Sequence, residues 1–379
     1  LKTENISLHT DSKVFGSLIT KIFGNSNIKV KVKSKDKRTL TKIKNYLKSC
    51  IYQLFIFLFI KFLKKKEKFK NREIVLIDKF ITLKKKQNLG YFPEFHNFKN
   101  VRIVPTFIPT LNLVKLLRIF SYINNNPHKF IFKEQYLNFK DLFYSFTHII
   151  RRKQFLKIRF NYKKINISEL IHNELDNYDD FYSINNGLLN FRFFYRLSKD
   201  GINVSKSFNW FENQIIDKGW NFGFRKYFPK NQLNSYGYQD FSKHFNLISN
   251  SPSNLEKTSM VIPNKIIIIS SFFKKITNEF TKSQKLIIGQ SERFKKLTKI
   301  KLVPLKKRNK VLVILSGIKK IDKELINFVL ETCKFNKKIQ IYIKSHPILN
   351  IDEIISKNIL PNNIILYTGD LKKILKKSL

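Results

Sequence analysis

The stretch from Lys310 to Pro347 constrains the fold more than any other. Val311-Leu-Val-Ile-Leu315 is a continuous apolar run closed by Ser316-Gly317, the pattern of a strand buried on both faces. Asp322 is placed to cap a helix whose apolar positions Leu325, Ile326, Val329 and Leu330 recur at helical spacing. Ile339 to Ile343 is a second apolar run, and it ends at once in Lys344-Ser345-His346-Pro347. Strand, helix and strand with short links make a right-handed βαβ unit with parallel strands. Ligands of such sheets bind beyond the carboxyl ends of the strands. Ser316, Gly317, Lys344 and His346 all fall there, so a phosphorylated ligand is expected at these turns.

The same grammar recurs along the chain. Glu73 to Asp78, Asn264 to Ser270, Lys285 to Gln290 and Asn363 to Tyr367 read as further strands, the first ending in an acid. Ser235 to Gln239 is a strand containing Gly237, and another begins near Val204. Phe107 to Ile119, Leu137 to Ile150 and Leu188 to Leu197 have helical spacing. Strands alternating with helices predict an α/β protein. A length of 379 residues leaves room for two domains. Thr298 to Lys310, rich in Lys with Pro304 inside, suits a linker and divides the chain into residues 1–303 and 304–379.

Hydrophobic content of 42% and aromatic content of 14% exclude wholesale disorder. The 73 Lys and Arg against 27 Asp and Glu give a net charge of +46, which usually points to nucleic acid or an anionic membrane surface. The abundance of Lys, Asn, Ile and Phe, with only 11 Gly, is also the bias of an AT-rich genome, which accounts for part of that charge. Cys50 and Cys333 lie far apart without metal-ligand spacing, so neither a disulfide framework nor a zinc site is expected.

Residues 28–66 are densely basic around the apolar run Ile51 to Ile60. That run is too short to cross a bilayer, which takes about 20 residues, and suits a buried or interfacial helix. Flanking lysines would favour an anionic leaflet by about 1 kcal/mol each. A core helix with solvated basic flanks fits the pattern equally well.

The most distinctive segment is Trp210-Phe-Glu-Asn-Gln214. Glu212 falls at a strand end or in a helix's first turn, where the helix dipole favours a carboxylate that can face a cleft. General base and helix cap are both open to it. Asn213 and Gln214 either orient a sugar or hold the turn. Arg293 reaches a phosphate or pairs with Glu292, and Trp210 and Trp220 are core residues.

Taken in order, Trp210-Phe-Glu-Asn-Gln214, Gly237-Tyr-Gln239, Gly289-Gln-Ser-Glu-Arg-Phe294, Ser316-Gly317 and Lys344-Ser-His-Pro347 resemble bacterial GT-B glycosyltransferases of surface carbohydrate synthesis, capsule and lipopolysaccharide among them. They are broadly similar to the polysialyltransferase and teichoic-acid polymerase type. The resemblance covers roughly the second half of the chain. It implies two Rossmann-like domains facing a cleft, the first holding acceptor and base, the second a CMP- or UDP-linked sugar. Glu212 is then the base, with Asn213, Gln214 and Gln239 at the acceptor. His346, Lys344, Ser345, Ser316, Gly317 and Arg293 would hold the donor. Such proteins carry a further Gly/Ser-Thr turn and a Glu beyond the position of Leu379, so the second domain is expected to be incomplete. No Asp-x-Asp signature is visible, and neither a metal nor a tightly bound cofactor is expected. The protein would work at the cytoplasmic membrane face on a glycan or lipid-linked acceptor, without a specific nucleic acid. Two rivals remain: a basic RNA-binding or organellar ribosomal protein, and a non-catalytic membrane scaffold using residues 28–66.

Overall fold

The structure, a computed structural model, describes residues 6–24, 28–32, 39–63, 69, 73–81, 100–107, 113–125, 129–241, 248–291, 310–335, 338–346 and 360–369. It is an α/β protein that divides into two compact units, Leu1–Ser291 and Glu292–Leu379.

The first unit opens with β1 (Ile6–Thr10), α1 (Lys13–Phe23) and β2 (Ile28–Val32), a small parallel pair with its bridging helix, followed by the long helix α2 (Thr39–Leu63). Its main sheet starts with β3 (Glu73–Ile81) and β4 (Val101–Phe107). A helical stretch follows: α3 (Leu113–Asn124), α4 (Lys133–Tyr136), α5 (Phe139–Phe146), α6 (His148–Arg152), a hairpin of β5 (Asn161–Tyr162) and β6 (Ile165–Asn166), α7 (Ser168–Asn177) and α8 (Phe181–Lys199). The sheet then resumes with β7 (Asn203–Trp210), α9 (Ile215–Tyr227), β8 (Ser235–Gln239), α10 (Asn254–Thr258), β9 (Lys265–Ile268), α11 (Ser271–Phe280) and β10 (Lys285–Ile288).

All six strands are parallel, in the order β10-β9-β8-β7-β3-β4. The chain therefore begins in the interior at β3, steps outward to β4, and returns past β3 to build the other side from β7. The direction of winding reverses between β3 and β7. In open parallel sheets, that reversal leaves a crevice at the carboxyl ends of the two strands, the usual place for a ligand.

Burial on both sides of the strands explains their unbroken apolar runs. Ile74 and Leu76 pack with Phe193, Phe194, Trp220 and Phe224, while their neighbours Val75 and Ile77 face Phe208, Trp210 and Tyr238. Helices α8 and α9 cross almost backbone to backbone. A Cβ added at Gly219 would lie 1.8 Å from the Gly187 carbonyl oxygen.

Three expectations change. Phe107 closes β4 and does not begin a helix, which runs instead from Leu113 to Asn124. The Val101–Phe107 strand is disguised by Pro105, which the edge position tolerates. The Ile103 carbonyl accepts the Ile131 N–H on the outer side, so Pro105, two residues on, turns its missing donor outward too. Next, Ile51 to Ile60 is the middle of a single helix, α2. An 18-residue window within Leu40–Leu63 has a mean hydropathy of 1.5, so the helix is long and apolar enough to cross a membrane by length and composition, and its inner face is docked on the protein.

The second unit has β11 (Lys310–Ile314), α12 (Lys319–Phe335), β12 (Gln340–Lys344) and β13 (Ile364–Leu366), parallel in the order β11-β12-β13. Ile326, Val329 and Cys333 of α12 pack on Ile341 and Ile343 of β12. The third change is here: β11 is not buried on both faces. It is the edge strand, and Val311 and Ile314 are 43% and 52% exposed. The expected linker lies almost wholly outside the described residues, as do Arg293 and Pro347.

Candidate active site at the carboxyl edge of the sheet

The turn from β7 into α9 carries Glu212. Asp217, in the first turn of α9, fastens it. One carboxylate oxygen accepts the Glu212 and Gln214 N–H groups, both at 3.0 Å, and the other accepts the Asn209 amide at 3.3 Å. These N–H groups lie at the helix start, where a carboxylate also meets the positive end of the dipole. Burial nevertheless pushes Asp217 up to about 8, with the charges of Asp78 and Glu212 adding to it and the two N–H bonds opposing it.

Glu212 itself is half-buried. The Trp210 indole donates to one of its oxygens at 2.6 Å and the Gln214 amide to the other at 2.7 Å. Both donors are neutral and each occupies one oxygen, so lone pairs remain on both. Asn213 takes the left-handed conformation at φ 60° and sends its amide to the Ser249 carbonyl at 3.1 Å and to Glu256 at 3.2 Å. Glu256 is held in turn by Lys218 at 2.6 Å. Gln239, at the end of β8, is buried and donates to the Asn250 carbonyl at 3.2 Å. The amide nitrogens of all three expected acceptor residues therefore have partners within the protein.

One strand over lies a cluster that the motifs did not single out. Asp78, on β3 at the winding reversal, is 2% exposed. One oxygen accepts the Thr106 hydroxyl at 2.8 Å, and the other has no hydrogen-bond partner. Burial pushes Asp78 up to about 6, opposed by the Thr106 bond and the charge of Lys133. The Lys133 ammonium, fully buried on α4, donates to Asn186 at 2.7 Å and Asn190 at 3.1 Å, both on α8. Burial lowers its pKa while Glu134 and Asp78 pull it back, and burial raises that of Glu134. The signal for this cluster was a charged pair, Lys133-Glu134, set between Phe130-Ile-Phe132 and Tyr136-Leu137. Among the described residues, no group of three or more His, Cys, Asp or Glu could hold a metal ion.

In the second unit, Ser316 and Gly317 follow β11, and Lys344, Ser345 and His346 end β12. Their expected roles divide. The Ser316 N–H and hydroxyl donate to one oxygen of Asp322 at 2.6 and 2.7 Å, and the Gly317 N–H donates to the other at 2.9 Å. The N–H groups expected to receive a phosphate are thus occupied by the chain's own carboxylate, which corrects that expectation for this turn. Burial raises the Asp322 pKa, but these bonds and the charge of His346 outweigh it and hold the group below the ordinary carboxylate value. His346 is half-buried and stands within electrostatic reach of Asp322. The Lys344 ammonium donates to the Gly369 carbonyl at 2.8 Å and lies 5.6 Å from the Tyr367 ring centre.

Two grooves, of about 700 and 180 Å³, run along α2 and not along these strand ends. The strand ends are marked by their chemistry: a held carboxylate in one unit, a histidine and a lysine in the other. No protein-family profile matches the chain, and no curated protein matches it.

Proposed function

We propose that the chain is a GT-B-type glycosyltransferase, moving a sugar from a CMP- or UDP-linked donor to a surface polysaccharide or lipid-linked glycan at the cytoplasmic membrane face. The observation that carries this reading is Glu212. It is a half-buried carboxylate at the carboxyl end of a parallel strand beside the winding reversal, held in place by Trp210 and Gln214. In the reaction, an acceptor hydroxyl oxygen attacks the anomeric carbon while its proton passes to Glu212. The bond from that carbon to the phosphate oxygen breaks, and the phosphate leaves with the electron pair. A positioned base supplies about 10²–10⁴-fold in rate. His346 and Lys344, at the carboxyl end of β12, are the groups offered to the leaving phosphate.

The test is release of CMP or UDP from activated sugars in the presence of glycan and lipid-linked acceptors. Glu212→Gln keeps the side chain's size and removes the base, giving up one of the two accepted hydrogen bonds, so turnover should fall by about 10²–10⁴-fold with donor binding intact. Unchanged turnover would remove Glu212 from the chemistry.

One observation favours a second reading, an RNA-binding protein. Arg192 lies 4.5 Å from the Tyr195 ring centre and 5.2 Å from that of Tyr144. Lys226 stands 5.5 and 5.4 Å from the rings of Phe191 and Phe222. Alternating cations and aromatic rings suit stacked single-stranded bases, and affinity would then fall steeply with salt.

A further inference from the structure

Helix α2 is apolar around most of its circumference, but the protein covers only one side of it. Ser49, Gln53, Ile56, Phe57 and Ile60 face inward, and the Asn185 amide of α8 donates to the Ser49 hydroxyl at 3.0 Å. On the other side Leu40, Ile43, Leu47, Ile51, Leu54, Leu58 and Phe62 are exposed, Leu40 by 77% and Phe62 by 91%. Their spacing of three, four and four residues, repeated along the helix, keeps them in one straight stripe. A patch of this kind marks an interaction surface.

The charges identify what covers it. Thr39 to Leu63 contains no Asp or Glu. Lys44 and Lys48 are exposed along one border of the stripe and line the 700 Å³ groove with Leu40, Ile43, Leu47 and Ile51. The sequence just past the helix adds Lys64, Lys65 and Lys66. A second copy seated here would bring lysines against lysines with no carboxylate on either helix to neutralise them. An anionic lipid surface meets both demands, accepting the apolar stripe between its head groups and the lysines among its phosphates.

We infer that α2 is an in-plane docking element for an anionic bilayer, presenting the Leu40–Phe62 stripe to the lipid and keeping its opposite face on the first unit. The packing of Ile56, Phe57 and Ile60 into that unit's core makes the helix lie on the membrane and not cross it. This inference goes beyond glycosyl transfer and does not depend on it.

The experiment is flotation of the full chain with vesicles of phosphatidylcholine alone or mixed with phosphatidylglycerol. The chain should bind the mixed vesicles. A Leu47→Ser, Ile51→Ser, Leu54→Ser triple variant should lose more than about tenfold in partitioning, because three exposed apolar side chains no longer enter the lipid. Lys44→Gln with Lys48→Gln should cost roughly thirtyfold on mixed vesicles, about a factor of five per lysine, and far less on neutral ones. All five positions are exposed, so melting curves matching the parent's will verify folding. Parent-like flotation of the triple variant would overturn the proposal. So would a parent that sediments as a dimer, fails to float, and becomes monomeric in the triple variant, since the stripe would then belong to a second copy.

Discussion

Asp78 lies on β3 and Glu212 in the turn that follows the neighbouring strand β7, yet their surroundings set them different tasks. Glu212 is half-buried and satisfied by neutral donors, while Asp78 is sealed in with one oxygen unpartnered. Asp78 should therefore register in stability. Its folded pKa of about 6 lies above the ordinary 3.8, so the fold favours the protonated form. Below about pH 4 both folded and unfolded chains hold the proton, and its contribution is complete. As pH rises toward 6 the unfolded chain releases the proton first, and stability falls by roughly 3 kcal/mol at most. Denaturant unfolding at pH 4 and pH 7 should show a decline to which buried Asp217 and Glu134, both also shifted upward, add their own share, and Asp78→Asn should make it shallower without abolishing it. An equal decline in the variant would place the charge elsewhere. Neither the depth of Asp78 nor its place was legible in the sequence, which ended the strand at Asp78, whereas β3 continues to Ile81. Its hydrogen-bond partner Thr106 lies on β4 and the lysine whose charge acts on it, Lys133, on α4, and local pattern carries no record of either. Asp322 teaches the converse. It read as a helix cap and Ser316-Gly317 as a phosphate turn, but a carboxylate on the same chain reaches those N–H groups first.

Among the elements, those with continuous β-branched runs or Gly-bounded ends were legible: β3, β8, β9, β10 and the βαβ of the second unit. β4 was not, because Pro105 and Arg102 break its pattern and only an edge position excuses them. The exposure of β11 was hidden for a related reason, since an apolar run does not announce how many of its faces a neighbour will cover. The tight crossing of α8 and α9 was equally silent, because glycines mark it only once the two helices meet. Gly219→Ala should cost about 3 kcal/mol or more, because its new methyl meets a backbone carbonyl that has no flexible end to move. Gly201→Ala is the control. It adopts φ 69° with open space around it, so only backbone strain of roughly 1 kcal/mol is expected. Equal losses by thermal melting would mean that the two helices readily move apart.

At the scale of the whole molecule, alternation of strands and helices foretold an α/β protein, but the strand order could not be read from it. That order makes the carboxyl ends of β3 and β7 special. The net charge of +46 acts on the molecule as a whole through self-repulsion, which salt screens over about 10 Å at 0.1 M. The melting temperature should therefore rise between low salt and 0.5 M, and a fall would show that attractive pairs outweigh repulsion. The central claim assigns a leaving nucleotide to His346 and Lys344, and calorimetric titration of the full chain with CMP and UDP tests it most directly. The account predicts saturable binding of one of them, weakened at least tenfold by His346→Ala and again by Lys344→Ala. Failure of both nucleotides to bind, or binding that neither substitution changes, would contradict it.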